Sequence, residues 1–188
     1  MKLIKLNAID STNEYIKLNK SFFSQNSLAV YSFNQTNGKG QRGKKWITEP
    51  YKNTCISFYY GVDKPSEYTL LKINLCTTLT VLEVLKSYDI TDLKIKWPND
   101  IMSGNRKIAG ILIETTMVKN KINDLIIGIG LNVNQTDFDV IKEATSMKIL
   151  KNKSFDLNMI SKQFVDKFSS FDDIISVSYT HLTLPTIS

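Results

Sequence analysis

Two β-forming segments, Leu28 to Phe33 (LAVYSF) and Thr54 to Tyr60 (TCISFYY), are separated by about twenty residues, Asn34 to Asn53, with little apolar content. Apolar, β-branched and aromatic residues at this density predict buried strands. A Gly-, Lys- and Asn-rich interruption of that length inside a compact domain is uncommon and usually functional. The sheet must therefore accommodate a long polar insertion. With 188 residues the chain has room for one core, burying about 70% of its unfolded surface. A composition of 42% hydrophobic and 22% charged residues excludes disordered and fibrous classes. No apolar run reaches the roughly 18 residues that cross a bilayer, and MKLIKLNAID has no signal-peptide core. A cytoplasmic protein without a membrane partner is expected.

Other segments fill out the sheet and its covering. Ser11 and Glu14 have capping-box spacing, predicting a short helix after Asp10 through Asn19. Leu71, Leu75, Leu79, Leu82 and Leu85 recur at spacings of three and four, predicting a core-facing helix over Ser66 to Tyr88; Asp156 to Asp173 has similar spacing. Leu93 to Trp97 alternates as a strand that Pro98 interrupts, so the strand bends or lies at an edge there. Lys107 to Thr115 and Leu125 to Val133 form two further strands joined by a polar Lys119 to Asp124 turn, a hairpin. The fold class is α+β, a mixed sheet flanked by helices, spanning residues 1–173. The last dozen residues, Val177 to Ser188, turn abruptly to Ser, Thr and Pro and hold the single histidine, His181; they are expected to be foreign or unstructured. Cys55 and Cys76 have neither CxxC spacing nor partner ligands, so both are expected as buried thiols.

Net charge is +6, which suits an anionic partner, and 22 of the 24 basic residues are Lys. The rare arginines, Arg42 and Arg106, are therefore candidates for phosphate or carboxylate recognition. Gly38, Gly40 and Gly43 lie among Lys39, Arg42, Lys44 and Lys45 in QTNGKGQRGKKW, a pattern that brings backbone N–H groups close to an anion. A solvated basic loop or an RNA-contacting patch has the same composition. KWPND places Asn99 and Asp100 at a strand end, where Asp100 is a reasonable magnesium ligand beside a polyphosphate. Lys107 is either an ordinary strand-end cation or a charge aimed into a pocket, and Ser11-Thr-Asn13 either a helix cap or part of a site. IGIGLNVN alternates small and apolar residues, leaving space against one strand face.

Taken in order, STN, QTNGKGQRGKKW, KWPNDI, RKIAGILIE and IGIGLNVN resemble biotin protein ligases, and Ala144-Thr-Ser-Met147 extends the likeness. The resemblance implies a catalytic domain similar to that of class II aminoacyl-tRNA synthetases. It also implies ATP-dependent conversion of biotin to biotinyl-5′-adenylate, with transfer to one lysine of a biotin carboxyl carrier protein, as in acetyl-CoA carboxylase. By the same resemblance Ser11, Thr12, Asn13, Gln35, Lys39, Gly40, Gln41, Lys107 and Gly110 are biotin-side positions. Gly38, Gly40, Arg42, Gly43, Trp46, Asn99, Asp100 and Asn132 are nucleotide-side positions. Lys107, Arg42 and Lys39 are implied as catalytic cations, with ATP as substrate and Mg2+ on Asp100. Lys39 and Gln41 stand where many relatives have arginine in GRGRRG, implying weaker retention of the adenylate. Relatives usually carry a small β-barrel after this domain, to which the resemblance does not extend. No helix-turn-helix precedes Met1, so a DNA partner is not expected, and a homodimer is left open. A lipoate or octanoate ligase of the same superfamily and a non-catalytic RNA-binding module are the alternatives.

Overall fold

The computed structural model describes residues 1–23, 27–62, 69–138, 143–171 and 175. In chain order its elements are β1 (Lys2–Leu6), α1 (Thr12–Asn19), β2 (Ser27–Ser32), β3 (Gly38–Lys39), β4 (Lys45–Trp46), β5 (Thr54–Gly61) and α2 (Leu70–Ser87). There follow β6 (Leu93–Lys96), β7 (Asp100–Ser103), β8 (Arg106–Val118), β9 (Lys121–Leu131), α3 (Met147–Lys151) and α4 (Leu157–Phe168). Among the described residues seven strands form one sheet in the order β1-β2-β5-β9-β8-β7-β6, and β3 pairs with β4 in a separate two-stranded sheet. β1 runs parallel to β2 and the other neighbours are antiparallel, so the sheet is mixed as expected.

Period-two alternation assigns the two faces. Ile56, Phe58 and Tyr60 of β5 and Ile127 and Ile129 of β9 join the main core, with α2 and α4 packed over it. Phe58 and Phe168 stack with ring centroids 4.2 Å apart, and Phe171 stacks on Phe168 at 5.2 Å. Truncating a ring such as Phe58 would cost about 3–5 kcal/mol. On the opposite face Ile16 of α1 meets Leu28, Val30 and Ile126 in a smaller cluster. A single short helix therefore covers only part of that face.

Several boundaries differ from the sequence expectation. The hairpin turn shrinks to Lys119 and Asn120, both with positive φ as a two-residue connection requires, and residues 121–124 belong to β9. The strand ending before Pro98 is indeed an edge strand, but the chain returns at once as β7. β1 and α3 had no sequence expectation: β1 is short and pairs on one side only, and α3 is little more than one turn. α2 starts at Leu70, with residues 66–68 outside those described, and Asp156 is the cap of α4, its Oδ1 accepting from Asn158 and Met159 N–H groups. Ile175, beyond the expected domain end at 173, is fully buried in the main core. The tail 177–188, with His181, lies outside the described residues. Cys55 and Cys76 are buried thiols. Among the described residues no helix is long and apolar enough to cross a membrane.

Candidate active site

Strand register builds the floor of the site. On the face carrying α1, Cys55 of β5 pairs across Gly130 of β9 and Gly110 of β8 to Asp100 of β7. The next row toward α1 is Ser57, Gly128 and Leu112, and beyond it come Tyr59, Ile126 and Glu114. Gly110, Gly128 and Gly130, with Cys55 and Ser57 beside them, leave a hollow where a sheet of larger residues would be filled. The result is a cavity of about 410 Å³. Cys55 closes its base, and burial pushes that thiol up to about 12, so it remains neutral.

One wall is neutral and hydrogen-bonded to itself. Ser11, in extended conformation, caps α1 by accepting the Glu14 N–H, and so sets Thr12 and Asn13 at the helix start. Ile9 bridges Gln35 in parallel, which brings the end of the β2 segment against that helix start. Gln35 Oε1 then accepts the Thr12 N–H at 3.0 Å, with Thr12 Oγ1 at 3.3 Å. Ser57 Oγ lies 2.7 Å from Thr12 Oγ1 and 2.5 Å from Asn13 Oδ1, and Asn13 Nδ2 donates to Glu114 Oε2 at 2.8 Å. A Cβ on Gly128 would come within 2.3 Å of Asn13 Oδ1, so the asparagine needs glycine beneath it.

The opposite wall is a cationic flap. The expected long loop contains the two-stranded ribbon β3-β4, pairing Gly38 with Trp46 and Lys39 with Lys45. Its tip turns at Arg42 and Gly43, both in the left-handed region, and the Gly40 N–H closes it on the Lys44 carbonyl at 2.7 Å. The Trp46 ring folds inward over the floor, where a Cβ on Gly130 or Gly110 would approach it to 2.3 and 2.8 Å. Lys39, Arg42, Lys44 and Lys45 are exposed, and Lys39 Nζ is ion-paired with Glu14 of α1.

Between the walls, Lys107 Nζ lies 2.6 Å from Asp100 Oδ1 and 5.2 Å from the centroid of a Trp46 ring. Among the described residues Asp100 is the single acidic one lining the cavity, against Lys39, Arg42, Lys44, Lys45 and Lys107. The described residues contain no group of three or more His, Cys, Asp or Glu able to hold a metal ion. One carboxylate suits an ion shared with phosphates, which magnesium favours, and not a protein cage.

Thirteen of the expected positions therefore line one cavity: Ser11, Thr12, Asn13, Gln35, Lys39, Gly40, Gln41, Arg42, Trp46, Asn99, Asp100, Lys107 and Gly110. Three do not. Gly38 is buried within the flap ribbon, its Cβ position 2.4 Å from the Trp46 carbonyl; Gly43 is at the exposed flap tip. Asn132 is buried, does not line the cavity and donates through Nδ2 to the Thr145 carbonyl at 3.0 Å. Arg106 is exposed at the start of β8, outside the cavity. Ser57, Cys55, Trp97 and Glu114 escaped the sequence reading. Ser57 alone had a local signal, a hydroxyl inside an apolar strand.

The profile of the Biotin/lipoate A/B protein ligase family matches residues 6–132. The bifunctional ligase/repressor BirA of Salmonella typhimurium is 28% identical over 164 residues, covering 86% of this chain and 51% of that protein. The biotin--[acetyl-CoA-carboxylase] ligase of Mycobacterium tuberculosis is 28% identical over 141 residues, 73% of this chain and 51% of that protein. The chain thus spans about half the length of these curated relatives. The structure of an Aquifex aeolicus biotin protein ligase in complex with biotin and ATP superposes with a TM-score of 0.73 at 29% identity, covering 93% of this chain and 70% of that one.

Proposed function

Because the chain belongs to the Biotin/lipoate A/B protein ligase family, we propose that its cavity holds biotin and ATP together and joins them as biotinyl-5′-adenylate. The biotinyl group then passes to a lysine of a carboxylase's biotin carrier domain. The observation that carries this reading is the division of one cavity between a neutral, internally hydrogen-bonded wall and a cationic one. The first suits an uncharged polar ring, the second a polyphosphate. The biotin ligase relatives, one of them solved with biotin and ATP, support the same assignment.

The chemistry asks for positioning and charge, not proton abstraction. The biotin carboxylate, ionised at neutral pH, attacks the α-phosphorus, the new C–O–P linkage forms, and the bond to pyrophosphate breaks. Holding two anions in contact removes the entropic barrier but raises repulsion, which fixed cations offset. Ser11, Thr12, Asn13 and Gln35 would hold the ring of biotin. Lys107 would face the carboxylate and α-phosphate, while Arg42 and Lys39 on the flap approach the phosphates. Trp46, Asn99 and Asp100 would form the nucleotide side. Asp100 would hold Mg2+ jointly with phosphate oxygens, and the ion would neutralise charge there. In the second step the carrier amine attacks the acyl carbon and AMP leaves. A closed flap keeps water from the acyl phosphate until then.

The test is incubation of the protein with ATP, Mg2+ and biotin, with lipoate and octanoate as competing acids, followed by mass spectrometry. Biotinyl-AMP with pyrophosphate is expected. Preferential lipoyl- or octanoyl-AMP would move the assignment within the family, and no adenylate from any acid would overturn it.

A further inference from the structure

Glu114 lies outside the residues that line the cavity, yet it is one contact from the neutral wall. Its carboxylate is shared: Oε1 takes Lys17 Nζ at 2.6 Å and Oε2 takes Asn13 Nδ2 at 2.8 Å. A carboxylate only accepts, so the Asn13 amide must turn its NH2 to Glu114 and its oxygen away. That oxygen is 2.5 Å from Ser57 Oγ, which commits the one Ser57 proton to it. The Ser57 and Thr12 hydroxyls are 2.7 Å apart, so with the Ser57 proton engaged the one Thr12 proton goes to that contact in preference to Gln35 Oε1 at 3.3 Å. Thr12 then faces the cavity with lone pairs and no proton. Gly128 allows the arrangement by leaving Asn13 room to lie against the sheet.

We propose that Glu114 is a positioning residue that determines specificity. By fixing the direction of the chain Thr12 to Ser57 to Asn13 to Glu114, it makes Thr12 an acceptor and selects a ligand that presents an N–H donor there. The proposal rests on the biotin reading, because biotin's cyclic urea carries two ring N–H groups. An isosteric change should reverse the direction. In E114Q, Lys17 claims the amide oxygen through a charge-assisted bond, which leaves the amide nitrogen facing Asn13. Asn13 then turns over and donates to Ser57, Ser57 donates to Thr12, and the Thr12 proton is released to Gln35 Oε1, 3.3 Å away, or to an acceptor in the cavity.

The experiment is calorimetric titration with biotin and with its two cyclic-carbamate analogues, in each of which one ring N–H is replaced by oxygen. Wild type should bind one carbamate at least about tenfold more weakly than biotin. In E114Q that penalty should fall to about twofold or less, the other carbamate's penalty staying put. K17M/E114Q, which frees the amide oxygen to return to Asn13, should restore it. An unchanged penalty in an E114Q protein that still binds biotin overturns the inference and leaves the biotin reading standing. Failure of wild type to bind biotin overturns that reading instead. A second measurement needs neither ligand nor variant: in wild type, NMR should detect coupling across the hydrogen bond from Asn13 Nδ2 to the Glu114 carboxyl carbon. Its absence overturns the assigned direction.

Discussion

Ser11, Thr12 and Asn13 are 3%, 4% and 3% exposed, whereas Lys39, Arg42, Lys44 and Lys45 across the same cavity stand in solvent. The first group is held by bonds to Gln35, Ser57 and Glu114, three separate segments of the chain. The flap has its own ribbon pairing and turn, an ion pair from Lys39 to Glu14, and the Trp46 ring seated on glycine. Surface ion pairs contribute little, about 0–1 kcal/mol, so the flap is tied to the rest of the domain less firmly than the helix start. A fixed neutral wall can discriminate between ligands by hydrogen-bond direction. Under the proposed function, a less firmly held cationic wall would admit them, gather charge around them and exclude water afterwards.

Substitutions that strike one side and spare the other test this division. Lys107→Ala removes the cation between the walls. Under the proposed reading, pyrophosphate exchange should fall about 10²–10³-fold, with biotin affinity changed far less; near-normal exchange would remove Lys107 from the reaction. Gly128→Ala strikes the fixed wall, because its methyl would displace Asn13 Oδ1. Biotin affinity should fall by about tenfold or more in a protein that still folds, and unchanged titration would show that wall to be dispensable. Gln41→Gly loosens the flap tip, and should speed escape of preformed adenylate by a few-fold while leaving biotin affinity alone; equal release rates would argue against a gate. Removing residues 177–188 should touch neither wall, and melting temperature should shift by no more than about 2 °C. A larger fall would mean that the tail packs on the domain.

The parts legible in sequence are those whose signal is local. Ser11 caps α1, as its spacing with Glu14 predicts, and apolar spacing predicts α2 and α4. The clustering of Gly38, Gly40 and Gly43 with cations marked the flap, although not its ribbon. β1 was missed because its outer side has no neighbour in the sheet, so its alternation carries little apolar weight. β7 was missed because Pro98 signals interruption and says nothing of a strand resuming at Asp100.

Most of the candidate site residues followed from ordered motifs, as did the family, since each motif is a short run whose residue types need no partner to be recognised. Tertiary structure alone decided which of them meet. Gly110 and Gly130 become one floor only when β8 and β9 pair in this register, and a slip of β8 by one residue would turn Gly110 to the other face of the sheet. Asn132 carried as strong a motif as Asn13, yet its side chain bonds the Thr145 carbonyl and does not join the cavity lining. Glu114 is 101 residues from Asn13 and acquires its contact through sheet pairing and the packing of α1. Local propensity sets what each segment becomes, whereas register and the side-chain contacts that fix it belong to the folded whole.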